Sequence, residues 1–466
     1  MKQIAQKCLL AAGLLGAVSA QARTIDIRIG HQSMCTDTYP GGVVIKNLHL
    51  LQKFLPTTGP YQNVTYHIVW RDYSSGAPIT NMMIAGKLDF GVMGDYPLVV
   101  NGAKFQQLRN QRSELITGTA YNADGAGNGI VVPTASNVYS LRGLQGKTIS
   151  VPIGSAAWGM LYKAAQDEGL KISDFHIANQ SPMAGITSIA ANKVAAHADF
   201  CPMSEYMEYK GTGRMIYSGA QTGVPYLHGV VVRQAFAQRN PEVVVAYLEA
   251  LITADRWIAA NPLRASRLMS KWTMIPKEVL YLYYSKGGYL TPDPTLKAQW
   301  VKTLEYDHSI LAKYSQVGPL DFGQWVNDHY LRTAYQKLGF NYGQQLAQVY
   351  QQKNNIHRDP EIWVKGEGIK RFANLQAMLS GLARLKAAGK TINTTYVYDA
   401  HSGLKLFGTV SFYVQAHGHV VASFMRRREA LRAAGPMHGV VLNYAAVTAL
   451  HTAALPAPVV LARATP

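Results

Sequence analysis

The sequence predicts an α/β fold built as two lobes hinged by two crossing segments, with a small α+β domain appended at the C-terminus. Three observations carry that prediction. From Arg23 onward, short β-branched runs alternate with stretches of helical apolar spacing, the pattern of strands each followed by a helix. The pattern stops at a glycine-rich stretch, TGTAYNADGAGNG, and then starts again, so that IAGKLDFGVMGDYP and AANKVAAHADFCPMSEY read as loosely matched half-repeats. At 466 residues the chain is also too long for a single core.

Taken in order, TIDIRIG is a strand, HQSMCTDTYPGG a loop, VVIKNLHLLQKFL a helix by its apolar spacing, and VTYHIVW a second strand. RDYSSG leads into a helix, APITNMMIAG, and LDFGVMG is a short buried strand ended by Asp95-Tyr96-Pro97. The strands are expected to be parallel, in a three-layer domain. Beyond the crossing come IVVP, KTISVPIG, a helix from Ser155 to Glu168, a strand near Phe175 to Ala178 and a helix near Ala184 to Asn192. Gly146-Lys147-Thr148 is no nucleotide loop, because the position that needs the first glycine is Leu141 and the motif leads into a strand. From Asn240 the chain reads helical, PEVVVAYLEALITADRWIAA most clearly, and is expected to pack back on the first lobe. The last unit runs through EIWVKGEGIKRF, a helix LQAMLSGLARLKAAG, TTYVYD, the turn AHSG, the strands KLFGTVSFYVQ and HVVASFM, a basic helix RRREALRAAG and a final strand GVVLNY, around a core of its own. The expected division is a signal peptide over 1–22, lobe one over 23–120 and 221–354, lobe two over 121–220, and the C-terminal domain over 355–466.

Composition narrows the function. Hydrophobic residues make up 48% and charged residues 15%, a globular balance. The formal net charge of +18 is scattered, its densest cluster being Arg426-Arg427-Arg428, and no cysteine–histidine finger or RNA-binding aromatic motif accompanies it. Nucleic acid is therefore not the expected partner; a cationic protein meeting anions near a negatively charged membrane surface is. Lys2 and Lys7, the apolar run Leu9 to Val18 and the small residues Ala20 and Ala22 form a secretory signal, and Cys8 lies too early to be a lipidated cysteine. No later stretch offers 18 uninterrupted apolar residues, since Asn443, His451 and Pro456 break the tail. An exported, soluble, periplasmic protein is expected, with Cys35 and Cys201 as its remaining cysteines, enough for one disulfide at most.

Helix N-termini suit anions, because their first amides lack partners and the dipole is positive there. Two are written at matching places: Ser75-Gly76 before one helix and Gly154-Ser155 before another, with Gly76 expected to let a ligand approach the backbone. Both serines also read as ordinary N-caps. His31, Gln32, Gly94, Asp95, Tyr121, Trp158 and Pro202 lie along the same strand ends. Trp158 reads as a stacking or closing group or as core; Asp95 reads as a partner for a ligand amine, a cap, or a sign of a cationic ligand. Met34-Cys35 on one wall and Cys201 with Met203 on the other supply soft donors that favour Cu(I). The same cysteines also read as an inter-lobe disulfide or as unrelated buried thiols.

Residues 23–345 resemble the substrate-binding proteins of the nitrate/sulfonate/taurine class of ABC importers. The matching pieces are IRIGHQS, DYSSGAPITNMMIAGKLDFGVMGDYPLVVNG, SLRGLQGKTISVPIGSAAWGMLYKAAQDEGL, GTGRMIYSGA and NPEVVVAYLEALITADRWI. The resemblance implies a type II periplasmic-binding-protein fold and capture, without catalysis or cofactor, of a small anion such as a sulfonate, nitrate or related organic acid. It also implies a monomer that docks on the membrane subunits of its cognate transporter. Residues Glu361 to Tyr444 resemble the second half of the NosL copper-chaperone family through VYDAHSGLKLFGTVSFYVQ and RREALRAAG…GVVLNY. That family's cysteine–methionine copper motif has no counterpart here, which leaves Met378, Met425, Met437, His417, His419 and His438 as possible soft or imidazole donors. Two other functions stay open at this point: a copper or metallophore receptor, and an enzyme of the thiamine-precursor type with Cys201 and His31 as a thiol–imidazole pair.

Overall fold

The computed structural model describes residues 23–315, 317–348 and 358–453. The expected signal peptide lies outside the described residues. Two sheets form the body of the molecule. In the first, strand Arg23–His31 buries Ile25, Ile27 and Ile29 on alternate positions and pairs in parallel with Val64–Asp72 on one side and Phe90–Gly94 on the other. Strand Tyr226–Arg233 then runs antiparallel between Phe90–Gly94 and Ser113–Asn122, and Thr291–Pro292 adds an edge. In the second sheet Thr148–Val151 pairs in parallel with His176–Asn179 and Ala196–Asp199, while Gly129–Pro133 runs antiparallel to Ala196–Asp199 and Gly213–Ser218.

Both sheets are therefore mixed, not parallel as the alternation of strands and helices suggests. A strand that arrives from the other lobe enters at the edge where the parallel strands end, so it must run against them. The chain leaves the first sheet after Asn122 and returns at Tyr226. At this crossing a Cβ on Gly125 would collide with the carbonyl oxygen of Val224, and one on Gly219 with that of Gly125, whose φ is +93°. Asn122 fixes the first crossing: its Oδ1 accepts the N–H groups of Asp124 and Ala126, and its amide donates to the Tyr289 carbonyl.

The helical stretch after the second crossing covers the first lobe. Helix Pro241–Ala260 is buried along most of its length; Tyr247 donates to the Gly41 carbonyl at 2.6 Å and stacks on Phe90. Helix Ala298–Ser315 lies on Asp95–Gln107 and touches Ala156–Asp167 of the second lobe. The expected single helix over VVIKNLHLLQKFL is broken. His49 takes a left-handed φ of 51° between Ile45–Asn47 and Leu50–Phe54, and the Asn47 amide donates to the Val43 carbonyl, a local bond that competes with helical propagation. Among the described residues no helix is long and apolar enough to cross a membrane.

The C-terminal unit contains a four-stranded and a three-stranded antiparallel sheet. Its core is not separate, as the sequence suggested. Ile362, Trp363, Val364, Tyr396 and Val397 join the core of the main body, and only a small cluster of Val414, Phe424, Ala430 and Ala434 stands apart. GVVLNY is a strand only over Val440–Leu442, and Tyr444–Ala453 forms a further helix, started by Asn443 accepting the Ala446 N–H. His417, His419 and His438 are exposed.

The junction is built around Lys405. Its ammonium donates to Glu361 Oε2 at 2.6 Å and Ser285 Oγ at 2.7 Å and sits over the rings of Tyr281 and Tyr396. Ser285 and Tyr281 belong to the main body, so a buried charge holds the two parts together. Removing one partner of such a pair leaves the other desolvated. Lys405→Ala should lower unfolding free energy by about 3 kcal/mol in urea denaturation, and limited proteolysis should then release the C-terminal unit first.

Candidate functional site

The strand ends of the two sheets face each other across a cavity of about 400 Å³. Helix Gly76–Ile84 of the first lobe begins at its wall after Ser75, and helices Ala156–Asp167 and Pro182–Ala190 of the second begin there after Ser155 and Ser181. Gly94, the residue before helix Asp95–Gln107, lines the same space. Each start brings N–H groups without intrahelical acceptors and the positive end of a helix dipole. Ser155 Oγ accepts the Trp158 N–H at 3.3 Å, whereas Ser75 and Ser181 make no capping bond.

The remaining polar lining is neutral. Gln32, Asn179 and Gln180 contribute amides, and the Oε1 atoms of Gln32 and Gln180 are buried without a hydrogen-bond partner. Tyr226 and His228 complete the floor. Among the described residues lining the cavity there is no Asp, Glu, Lys or Arg. Oriented dipoles with hydroxyl and amide donors are the electrostatic complement of a negative charge.

Of the residues singled out in the sequence, Gln32, Cys35, Ser75, Gly76, Gly94, Gly154 and Ser155 line the cavity. His31, Asp95, Tyr121, Trp158 and Pro202 do not. The His31 ring packs edge-on against Trp70 at 5.7 Å and beneath Gly42, and burial lowers it to about 4. Asp95 is a cap: its carboxylate accepts the N–H of Tyr96 at 2.8 Å and of Leu227 at 3.2 Å, tying a helix start to the returning strand. Tyr121 lies against Trp300, with ring centroids 4.1 Å apart. Trp158 packs among Tyr96, Tyr162 and Tyr314, where the lobes and the long helix meet. Pro202 sits immediately before helix Met203–Lys210, outside the lining. Gly76 has a different cause from the one expected: a Cβ there would run into Pro97, so close helix packing requires it.

Asn179, Gln180, Ser181, Tyr226 and His228 escaped the sequence reading. Ser181-Pro182 carries a legible signal, a capping serine followed by proline at the first helical position. Tyr226 and His228 carry none, because they sit in an ordinary strand pattern and reach the cleft only through the crossing.

At the floor, Cys35 from the first lobe and Cys201 from the second bring their sulfurs to 2.8 Å, as free thiols. His228 Nε2 lies 3.2 Å from the first sulfur and 3.7 Å from the second, and Tyr226 Oη lies 3.4 Å from Cys201 Sγ. The imidazole beside Cys201 is thus that of His228, not His31. Met34 and Met203 pack into the hydrophobic core. Burial pushes both thiols up and His228 down to about 3, so all three groups are neutral near pH 7.

Residues 72–265 match the NMT1/THI5-like family model. The chain is 29% identical over 196 residues to the taurine-binding periplasmic protein of Escherichia coli, covering 41% of this chain and 58% of that protein. It is 26% identical over 217 residues to a putative aliphatic sulfonates-binding protein of Bacillus subtilis, covering 46% of this chain and 62% of the other. The chain therefore spans about three-fifths of the length of these curated relatives, which are binding proteins. The alkanesulfonate-binding protein of Xanthomonas axonopodis pv. citri, solved bound to MOPS, superimposes with a TM-score of 0.55 at 20% identity, over 66% of this chain and 99% of its own. The fold is that of type II periplasmic binding proteins.

Carboxyl groups are buried around this floor. Desolvation raises Asp37 and Glu205 to about 7 and Glu208 to about 8. Glu208 accepts the Met215 N–H at 3.0 Å, a bond that a glutamine carbonyl also makes. Because its folded value lies above the ordinary 4.5, its contribution is fully present below about pH 4.5 and is lost as pH rises through about 8. Glu208→Gln should therefore melt near the wild-type temperature at pH 5 and above it at pH 9 in thermal denaturation followed by circular dichroism.

Proposed function

We propose, from the match of residues 72–265 to the NMT1/THI5-like family model, that the chain is the solute-binding component of an ABC importer and captures a small anion, a sulfonate or a related oxyacid, between its lobes. One observation supports this above the rest: helix starts from both lobes meet at a cavity whose lining holds serine hydroxyls and amides but no formal charge. A sulfonate is ionised at every physiological pH and offers three acceptor oxygens to such donors. Fixed neutral dipoles hold it without desolvating a lysine or arginine in the empty state. The volume suits a small organic anion. A ligand touching Ser75 on one side and Ser155 and Ser181 on the other favours the closed arrangement, because only there are all its contacts made. The closed form then docks on the transporter's membrane subunits in the periplasm. Binding without chemistry accords with thiols that burial keeps protonated and hence poorly nucleophilic.

The test is calorimetric titration with taurine, short alkanesulfonates and nitrate, together with scattering to follow compaction. At least one anion should bind one-to-one and reduce the radius of gyration. Ser181→Ala and Ser75→Ala should each weaken it about tenfold, the effect of one hydrogen bond to a charged group. If no anion in the series yields heat or raises the melting temperature, the receptor reading is wrong.

A further inference from the structure

We propose that Cys35, Cys201 and His228 form a binding site for a thiophilic d10 cation, Zn(II) or Cu(I), at the floor of the cleft. Two thiols and an imidazole from three distant stretches of chain converge there, all fully or almost fully buried, with their donor atoms within 4.8 Å of one another. They are the cluster of this kind found among the described residues. With metal–sulfur bonds of about 2.3 Å and metal–nitrogen bonds of about 2.0 Å, tetrahedral angles place sulfur about 3.8 Å from sulfur and about 3.5 Å from nitrogen. The sulfur–nitrogen separations of 3.2 and 3.7 Å bracket the second value, and the sulfurs, at 2.8 Å, need to part by about 1 Å.

A second observation points the same way. His228 Nδ1, which has no hydrogen-bond partner, faces Asp37 Oδ2 at 3.5 Å, and both side chains are buried. A proton on Nδ1 directed at that carboxyl leaves the Nε2 lone pair aimed at the sulfurs, the tautomer a metal-bound histidine needs. The Asp37 carboxyl is itself held by Thr36 Oγ1 at 2.8 Å. Soft sulfur donors with one imidazole suit Cu(I) and Zn(II) rather than harder ions. Binding releases the two thiol protons to solvent. Two thiolates, a neutral imidazole and Zn(II) sum to zero charge, so the zinc-loaded site buries no net charge, whereas Cu(I) leaves one negative charge. Cys35 and His228 also line the cavity, so a fourth coordination position opens toward the space where a solute sits. The inference does not depend on the anion reading: the donors span both lobes whatever the cleft captures.

The experiment uses the full chain, reduced and metal-free, titrated separately with Zn(II) and with Cu(I) from competing chelators and followed by mass-spectrometric metal analysis after gel filtration. One equivalent of at least one of the two should remain bound, and the number of reactive thiols should fall by two on loading. Cys35→Ser and Cys201→Ser should abolish stoichiometric binding, while His228→Gln and Asp37→Asn should weaken it at least tenfold. Co(II) in place of Zn(II) should give sulfur-to-metal charge-transfer bands that disappear in the cysteine variants. If Cys201→Ser does not fold, the His228→Gln affinity decides. Absence of a bound equivalent of either metal, or unchanged stoichiometry in both cysteine variants, overturns the proposal. So does a disulfide, seen as a mass two hydrogens lower and no reactive thiol at Cys35 or Cys201 in protein isolated without reductant. Sulfonate titration of the same metal-free sample reports on the cleft separately, so that either idea can fail alone.

Discussion

The backbone contact between the two crossings is the constraint on which the rest of the molecule depends. Gly125 and Gly219 press main chain against main chain with no room for a side chain, and Asn122 pins the first crossing from three sides. Two sheets joined at one point in this way present the same edge to each other. Strand ends and helix starts then face a common space without further instruction, because in a strand–helix unit the helix begins where its strand finishes. Asp95 adds to this arrangement: its carboxyl joins the first turn of a helix to the strand returning from the second lobe, so it serves the hinge rather than the solute.

The chemistry of the cleft follows from what burial allows. Side chains under the floor that could carry charge are shifted toward their neutral forms: desolvation raises carboxyls and thiols and lowers the histidines. Charges that are kept inside are matched elsewhere. Asp89, for example, is gripped by Arg28 at 2.8 Å and by Arg233 at 2.7 Å where strands of the first sheet run side by side. The cavity lining carries no formal charge among the described residues, which leaves the partial charges at the helix starts as its oriented electrostatic feature.

Much of this was legible in the sequence, and the reasons differ by element. TIDIRIG showed its strand by alternation, and Ser155 its helix start by its place after a buried run. The lobes were visible because the strand–helix pattern halts at a run of glycines and resumes. Sheet direction was not, since antiparallel return is a property of the crossing and leaves no periodicity of its own. The break at His49 was hidden because apolar spacing continues across it. Tyr121 misled, and Trp158 stayed open between solute and core, for another reason: an aromatic at a strand or helix end looks the same whether its ring faces solute or, as here, other rings. His228 was invisible because its neighbours Cys35 and Cys201 come from distant stretches, and no spacing rule links the three.

The C-terminal unit touches both halves of the body. Through Lys405, Glu361 and Ser285 it is anchored to the helices behind the first lobe, and through Phe407, whose ring centre is 5.6 Å from that of Tyr209, it also rests against the second. Any parting of the two halves on this side separates Tyr209 from Phe407, so the ring contact opposes opening at a place far from the crossings.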